Sequence, residues 1–321
     1  MRVLRYLPNM NEPMEKSEYK KRSLLRNVRK HRLKYITILP SLITLINGVC
    51  GFASIVFAAK AGQIDNSGLN VYQSQFPFLS MAGYMIFWAM IADMLDGHVA
   101  RISHSTSSFG GQLDSLCDAI SFGVAPAFLM LRVVETRVSF HPTFDVFVYR
   151  FLWLTAAIYI SCAVIRLARF NVENEEDESN HSSFTGLPSP AAAGVVASLV
   201  VLNHYLITEL NLSHSILSSV GNNIIIGVLP FAALAAAILM VTRITYPHFV
   251  NAFLRGKKPF AYLFWTMAIL VIFVFSLEVA LALVFCGFAA SGVIRWLYMR
   301  FVMHKTVSDD AEEPPVITIS Q

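Results

Sequence analysis

The sequence predicts an all-α, polytopic helical membrane protein with about eight transmembrane helices, and three observations carry that prediction. The 321-residue chain is 55% hydrophobic and only 14% charged, whereas ordinary soluble domains are about 25% charged. Its apolar residues gather in runs of about twenty, the length that crosses a bilayer. Its basic residues collect on one side of those runs. A globule of this size could not cover its surface with so few charges, which excludes a soluble enzyme, a nucleic-acid-binding domain and a disordered protein.

The elements follow in order. Residues 1–34 hold eleven Lys/Arg and three Glu and read as a basic cytoplasmic arm, without the apolar core of a cleaved signal. Residues 35–300 form the transmembrane domain, with spans expected at 36–59, 76–95, 112–132, 147–166, 188–208, 222–242, 260–277 and 279–298. Only Glu278 parts the last two, so one long broken helix is the alternative there, and Glu278 itself is expected as an exposed turn residue. Residues 301–321 form a cytoplasmic tail, acidic and then Pro-rich, expected to be disordered.

Charge sets the orientation. With the N-terminus inside, the inner segments collect twenty-one Lys/Arg and the outer ones four, namely Lys60, Arg132, Arg137 and Arg150. Both termini are therefore expected in the cytoplasm, and the net charge of +4 reflects topology, not a nucleic-acid partner. Cys50, Cys117, Cys162 and Cys286 lie in apolar surroundings without a CxxC pair and read as small buried residues.

One segment departs from this apolar background. Asp93, Asp96, Gly97, Ala100 and Arg101 follow the i, i+3, i+4, i+7, i+8 pattern of one helix face. Gly110, Asp114 and Asp118 repeat at i, i+4, i+8 on the next helix. A carboxylate near hydrocarbon costs roughly 2.5–3.5 kcal/mol on insertion scales at a helix centre. A short polar loop between the two helices predicts antiparallel packing, which gathers the acids at the cytoplasmic end. Carboxylates so crowded repel unless cations lie between them. Oxygen ligands alone suit hard ions such as Mg²⁺ or Mn²⁺ better than zinc, and Gly97 and Gly110 leave room for a ligand to approach the backbone. The plainer reading pairs Asp96 with Arg101 at the interface and leaves the other acids to water.

These positions resemble the signature of the CDP-alcohol phosphatidyltransferase family, D-x2-D-G-x2-A-R-x8-G-x3-D-x3-D, without departure: Asp93, Asp96-Gly97, Ala100-Arg101, Gly110, Asp114 and Asp118. The resemblance implies a helical membrane enzyme that displaces CMP from a CDP-linked lipid with an alcohol, using two divalent ions. It implies that Asp93, Asp96, Asp114 and Asp118 ligate metal, that Asp118 also serves as base, and that CDP lies against Gly97, Ala100, Arg101 and Gly110. Three further stretches are similar to the phosphatidylserine synthase branch of the family: Asp118–Pro126, Arg166–Asn171 and Phe184–Ala193. The run Leu39–Asn47 is similar to that branch's first helix, with Ser41 where Asn is expected. The substrates so implied are CDP-diacylglycerol and L-serine, in a cell inner membrane, with a homodimer open.

Other polar residues carry two readings each. Thr44 and Asn47, three apart in the first span, are interhelical hydrogen-bond partners or part of the nucleotide pocket. Ser121 is a candidate serine contact, and Gly123 either shapes the same pocket or allows close packing. Arg166 and Arg169 are snorkelling anchors or a clamp for the serine carboxylate or a lipid phosphate. The acidic run at 173–178 reads as a solvated loop, and His98 and His104 as surface residues. Two alternatives stand beside serine transfer: the same chemistry with glycerol 3-phosphate, inositol phosphate or choline, and a non-enzymatic divalent-cation carrier. The carrier predicts acids near the bilayer midplane and leaves Gly97, Ala100 and Arg101 without a task.

Overall fold

The structure, a computed structural model, describes residues 40–61, 71–103, 108–136, 144–176, 186–208, 216–244, 276–298 and 300. The arm 1–34, the tail 301–321 and most of the expected span at 260–277 lie outside the described residues. The described chain is helical throughout. Helix α1 is Pro40–Lys60. There follow α2 (Val71–Ser103), α3 (Ser108–Asp118), a π-helical turn (Ala119–Val124), α4 (Ala125–Glu135), α5 (Phe144–Glu176), α6 (Ser189–Thr208), α7 (Ile216–Val241) and α8 (Leu277–Tyr298). Because α3, the π-helical turn and α4 run on without a break, the described residues hold seven helices long and apolar enough to cross a membrane. Together with the outward-facing apolar residues described below, they make a multi-pass membrane protein.

Three boundaries differ from expectation. Helix α2 runs past the expected end of its span to Ser103, so the segment from Asp93 to Arg101 is helical from end to end. At 33 residues, α5 is about 50 Å long at 1.5 Å per residue, more than the roughly 30 Å of a bilayer core. Its last turns take in Asn171 to Glu176, so the expected loop at 173–178 is helix through Glu176. Residue 276 is not helical and α8 starts at Leu277. Glu278 is accordingly not an exposed turn residue: it lies half-buried in the first turn of α8 and accepts a hydrogen bond from the Tyr84 hydroxyl of α2 at 2.9 Å. A carboxylate is favoured at a helix N-terminus, and the phenol supplies the donor it needs away from water.

The unit from Phe109 to Glu135 is the centre of the bundle, 72% buried against 22–56% for the other six spans. Pro126 accounts for the π-helical turn ahead of it. Without an N–H it cannot bond the carbonyl of Phe122, and its ring crowds that carbonyl. The helix widens there, and the Ala125 N–H bonds back to the Ile120 carbonyl instead. Around this unit α6 packs against α2, α7 and α8, and α5 packs against α7.

Packing follows the rule for helices in lipid, with small residues at the contacts and large apolar ones outside. Ala82, Ala89, Ala163, Ala192 and Ala197 are buried, while Phe52, Trp88, Phe147, Trp153 and Phe231 are exposed. A Cβ on Gly194 would collide with the ring of Phe285, so α8 seats its aromatic residue directly on the α6 backbone.

One loop is fixed by glycine conformation. Gly186 has φ 88°, a region that side chains other than glycine's rarely adopt. Its N–H bonds the Ile244 carbonyl at 2.9 Å and the next N–H, of Leu187, bonds the Leu239 carbonyl at 3.0 Å. The start of α6 is thereby strapped to the end of α7. Gly186→Ala is expected to cost about 1–3 kcal/mol through backbone strain, compounded by a Cβ 2.6 Å from the Met240 carbonyl oxygen. Gly227→Ala, helical with nothing within 4 Å of its Cβ, is the control. Thermal unfolding in detergent should show a lower Tm for the first variant and an unchanged or higher Tm for the second.

Candidate metal centre

Helices α2 and α3 are joined by four residues, 104–107, and their acidic faces meet. One carboxylate oxygen from each of Asp93, Asp114 and Asp118 lies within 4.8 Å of the other two. Asp114 and Asp118 are one helical turn apart and share a face of α3, and Asp93 approaches from α2. Three like charges at that spacing repel by roughly 3–4 kcal/mol per pair at an effective dielectric constant of 20. Asp96 stands beside this group without joining it. At 3.6 residues per turn, three residues carry it about 60° around α2 from Asp93. It is buried, and among the described residues its Oδ2 has no hydrogen-bond partner.

The residues of this centre suit a divalent cation. Among the described residues Asp96 Oδ2 and Asp114 Oδ1 are both buried acceptors without a donor, a costly state that a cation relieves. The donors are all carboxylate oxygens, the set that hard ions take. A Cβ placed on Gly97 or Gly111 meets nothing within 4 Å among the described residues. The residues fit such an ion, and Asp93, Asp114 and Asp118 would hold it.

Helix α1 closes one side. Asn47, fully buried, donates from Nδ2 to Asp118 Oδ1 at 2.8 Å. Thr44, also buried, donates to the Pro40 carbonyl at 3.0 Å. Ser121, in the π-helical turn, is fully buried and donates to the Asn47 backbone carbonyl at 2.9 Å. Of the first-span pair, Asn47 therefore reaches the acids, while the Thr44 hydroxyl bonds back within α1. The Ser121 hydroxyl, expected as a serine contact, is engaged with α1. Gly123 packs on Ala163, where an added Cβ would meet the alanine methyl at 3.5 Å, so close packing is its observed part.

Helix α5 closes another side. Arg166 is half-buried and donates from Nη1 to the hydroxyl of Ser189, at the start of α6, at 2.9 Å. Among the described residues its buried Nε has no partner. Arg169, one turn on, is half-buried and engaged. Asn171 donates from Nδ2 to Ser115 Oγ at 2.7 Å, and Ser115 donates to the Gly111 carbonyl at 3.0 Å, tying the end of α5 to α3. Gly110 lies half-buried on the same stretch of α3 and has interactions of its own. Ala100 and Arg101 belong to the last turn of α2, and their side chains lie outside the described residues. His98 is exposed, as expected, and His104 lies outside the described residues. Ser189 is the partner that the sequence did not single out, although a serine between two prolines just after Gly186 marks a constrained helix start.

A divalent ion should change the stability of this centre in a way that depends on charge. Saturating Mn²⁺ at 100-fold above its Kd should stabilise the fold by about 2.7 kcal/mol. Asp114→Asn should lose that Mn²⁺ shift while raising the Tm measured with chelator, because one repulsive charge is gone. Thermal unfolding with EDTA and with Mn²⁺ reads both signs.

Comparison with known proteins bears directly on this arrangement. The family model for CDP-alcohol phosphatidyltransferase matches residues 37–241, a stretch that contains the acid centre and α1 to α7. A CDP-diacylglycerol–serine O-phosphatidyltransferase of Helicobacter pylori is 34% identical over 241 residues, 74% of this chain and 89% of that protein. The protein of that name in Methanocaldococcus jannaschii is 30% identical over 197 residues, 61% of this chain and 75% of that one. Its namesake in Saccharomyces cerevisiae is 36% identical over 182 residues, 55% of each chain. Three carboxylates gathered on two helices, at the spacing of the family signature and inside a match that covers most of the chain, make this protein a member of the CDP-alcohol phosphatidyltransferase family, whose chemistry is phosphoryl transfer.

Proposed function

We propose that the protein transfers the phosphatidyl group of CDP-diacylglycerol to the hydroxyl of L-serine, giving phosphatidylserine and CMP. The convergence of Asp93, Asp114 and Asp118 within 4.8 Å carries the phosphoryl-transfer half of this reading. The serine half draws on the relatives named as serine transferases and on the three branch-like stretches of sequence.

Phosphoryl transfer asks mainly for positioning and charge neutralisation. Mg²⁺ or Mn²⁺ at the centre, two ions by family likeness, supplies charge neutralisation for the phosphates and the leaving oxygen. Asp96, beside the cluster, completes the ligand set in this reading. Asp118 takes the proton of the serine hydroxyl. The serine oxygen then forms its bond to the phosphorus that bears diacylglycerol, the bond from that phosphorus to the CMP oxygen breaks, and its electron pair leaves with CMP. Gly97, Ala100, Arg101 and Gly110 line the CDP moiety, with Thr44 at its edge, and the Arg101 fork holds a phosphate.

Arg166 and Arg169 take the serine carboxylate. An arginine already oriented by Ser189, whose buried Nε has no partner among the described residues, is suited to hold an anion. In the same reading residues 35–300 are the catalytic domain, flanked by the arm 1–34 and the tail 301–321. The acid centre and both termini lie on the cytoplasmic side of a cell inner membrane, as the twenty-one to four partition of basic residues favours. A homodimer is compatible with the reading.

The test is CMP release by purified protein in detergent with CDP-diacylglycerol and Mn²⁺ or Mg²⁺. Serine, glycerol 3-phosphate, inositol phosphate and choline are offered separately. Release with serine alone is expected, with loss of at least about a hundredfold in Asp118→Asn, within the range for removing an acid–base group. Release with another alcohol would keep the family chemistry and overturn serine as the acceptor.

A further inference from the structure

We infer that Asn47 and Ser121 are positioning residues that fix the carboxylate of Asp118, an inference that rests on the phosphoryl-transfer reading above and adds to it two residues with a defined task. The chain of contacts is short. Ser121 Oγ holds the Asn47 backbone carbonyl at 2.9 Å, and Asn47 Nδ2 holds Asp118 Oδ1 at 2.8 Å. Asp118 and Ser121 lie three residues apart on the central helix. They grip one residue of α1, by its side chain and by its backbone.

Chemistry fixes the direction of the amide. An ionised carboxylate only accepts hydrogen bonds, so the nitrogen of Asn47 must face Asp118 and its Oδ1 must face away. Among the described residues that buried Oδ1 has no partner. One hydrogen bond occupies one of the acceptor sites of the carboxylate and leaves the others for the proton of the acceptor alcohol or for an ion. By holding Oδ1, Asn47 fixes the orientation in which the Asp118 carboxylate presents them.

Two glycines make the contact reachable. A Cβ on Gly48 would lie 2.9 Å from Cys117 Sγ, and one on Gly51 would lie 2.7 Å from the Ser121 Cα. Both distances are below those of real side-chain contacts, so only a glycine-faced α1 comes this close to the central helix. The backbones meet on either side of Asp118, and a short side chain such as Asn then spans the gap. This gives Asn47 a task besides the nucleotide contact expected from its position, and Ser121 one in place of a direct serine contact.

The experiment compares wild type, Asn47→Leu, Ser121→Ala and the double variant, each in detergent with CDP-diacylglycerol, Mn²⁺ and the alcohol that wild type accepts. Groups that orient metal ligands typically contribute about 10–100-fold in activity or metal affinity. Asn47→Leu should lose that much kcat and require more Mn²⁺ for half-maximal rate, with the KM values for CDP-diacylglycerol and the alcohol within about twofold of wild type. Ser121→Ala should show a smaller fall in the same parameters. The double variant should lose less than the product of the two, because both act through one carboxylate.

Mn²⁺ binding followed by electron paramagnetic resonance, without substrates, reads the same positioning when no turnover occurs, and should weaken in Asn47→Leu. Failure of serine as acceptor therefore leaves this test intact. If Asn47→Leu does not give monodisperse protein, Asn47→Ala removes the donor without adding charge and should lose kcat in the same way. A raised KM for CDP-diacylglycerol with kcat retained would overturn the inference in favour of a nucleotide contact. A raised KM for serine in Ser121→Ala would do so in favour of a serine contact. Unchanged kcat and unchanged Mn²⁺ binding would reduce both residues to packing.

Discussion

Repulsion among Asp93, Asp114 and Asp118 has to be restrained by the helices that carry them, and the surrounding bundle is arranged to do so. Their oxygens lie within 4.8 Å of one another in a chain whose remaining spans are apolar. A fold free to relax would move α2 away from α3. It is held by contacts that begin outside the acidic faces. Ser54 of α1 donates to the Ala82 carbonyl of α2 at 2.8 Å, and Asn47 of the same helix reaches Asp118 on the central helix. On the opposite side Asn171 ties α5 to Ser115. Helix α1 is thus a bracket across the two acid-bearing helices, and the stability given up in crowding the carboxylates is the stability that a cation returns.

The rest of the molecule keeps that bracket rigid by approach of backbones. Lipid offers no hydrophobic gain for bringing helices together, so close contact and internal hydrogen bonds do the work. Gly48 and Gly51 seat α1 on the central helix, Gly194 seats the Phe285 ring of α8 on α6, and Gly186 straps α6 to the end of α7. That strap sets the position of Ser189, which orients Arg166. A glycine just ahead of α6 therefore bears on where the Arg166 guanidinium sits. Helix α8 lies beyond the family match. It is joined to α2 by the hydrogen bond from Tyr84 to Glu278 and by the rings of Phe87 and Phe285, with centroids 5.5 Å apart.

Much of this was legible in the sequence, and the parts that were not share a cause. Span number and membrane class follow from run length and charge content, which are local properties. The acid centre was legible because both its stripes repeat at helical spacing and a short loop joins them. Asp96 lies on the expected face of α2, about 60° around from Asp93, beside the three acids whose oxygens come within 4.8 Å of one another. The length of α5 was misread because Glu and Asn at 173–176 resemble loop residues, although Glu is a good helix former. Contacts between distant segments left no local trace. The pairs Asn47–Asp118, Ser121–Asn47 and Arg166–Ser189 are 71, 74 and 23 residues apart, and no periodicity encodes which polar residue meets which. Glu278 illustrates the point: by position it was a turn residue, and its partner Tyr84 is 194 residues away.

The central claim is that the crowded aspartates form a cation site set by the fold. Crystals of the protein soaked with Mn²⁺ and measured at the manganese absorption edge test it most directly. Anomalous difference density between the carboxylates of Asp93, Asp114 and Asp118, absent in Asp114→Asn crystals treated in the same way, is the predicted result. Clear density for those side chains with no anomalous peak among them, or a peak held only by groups elsewhere on the chain, would contradict it.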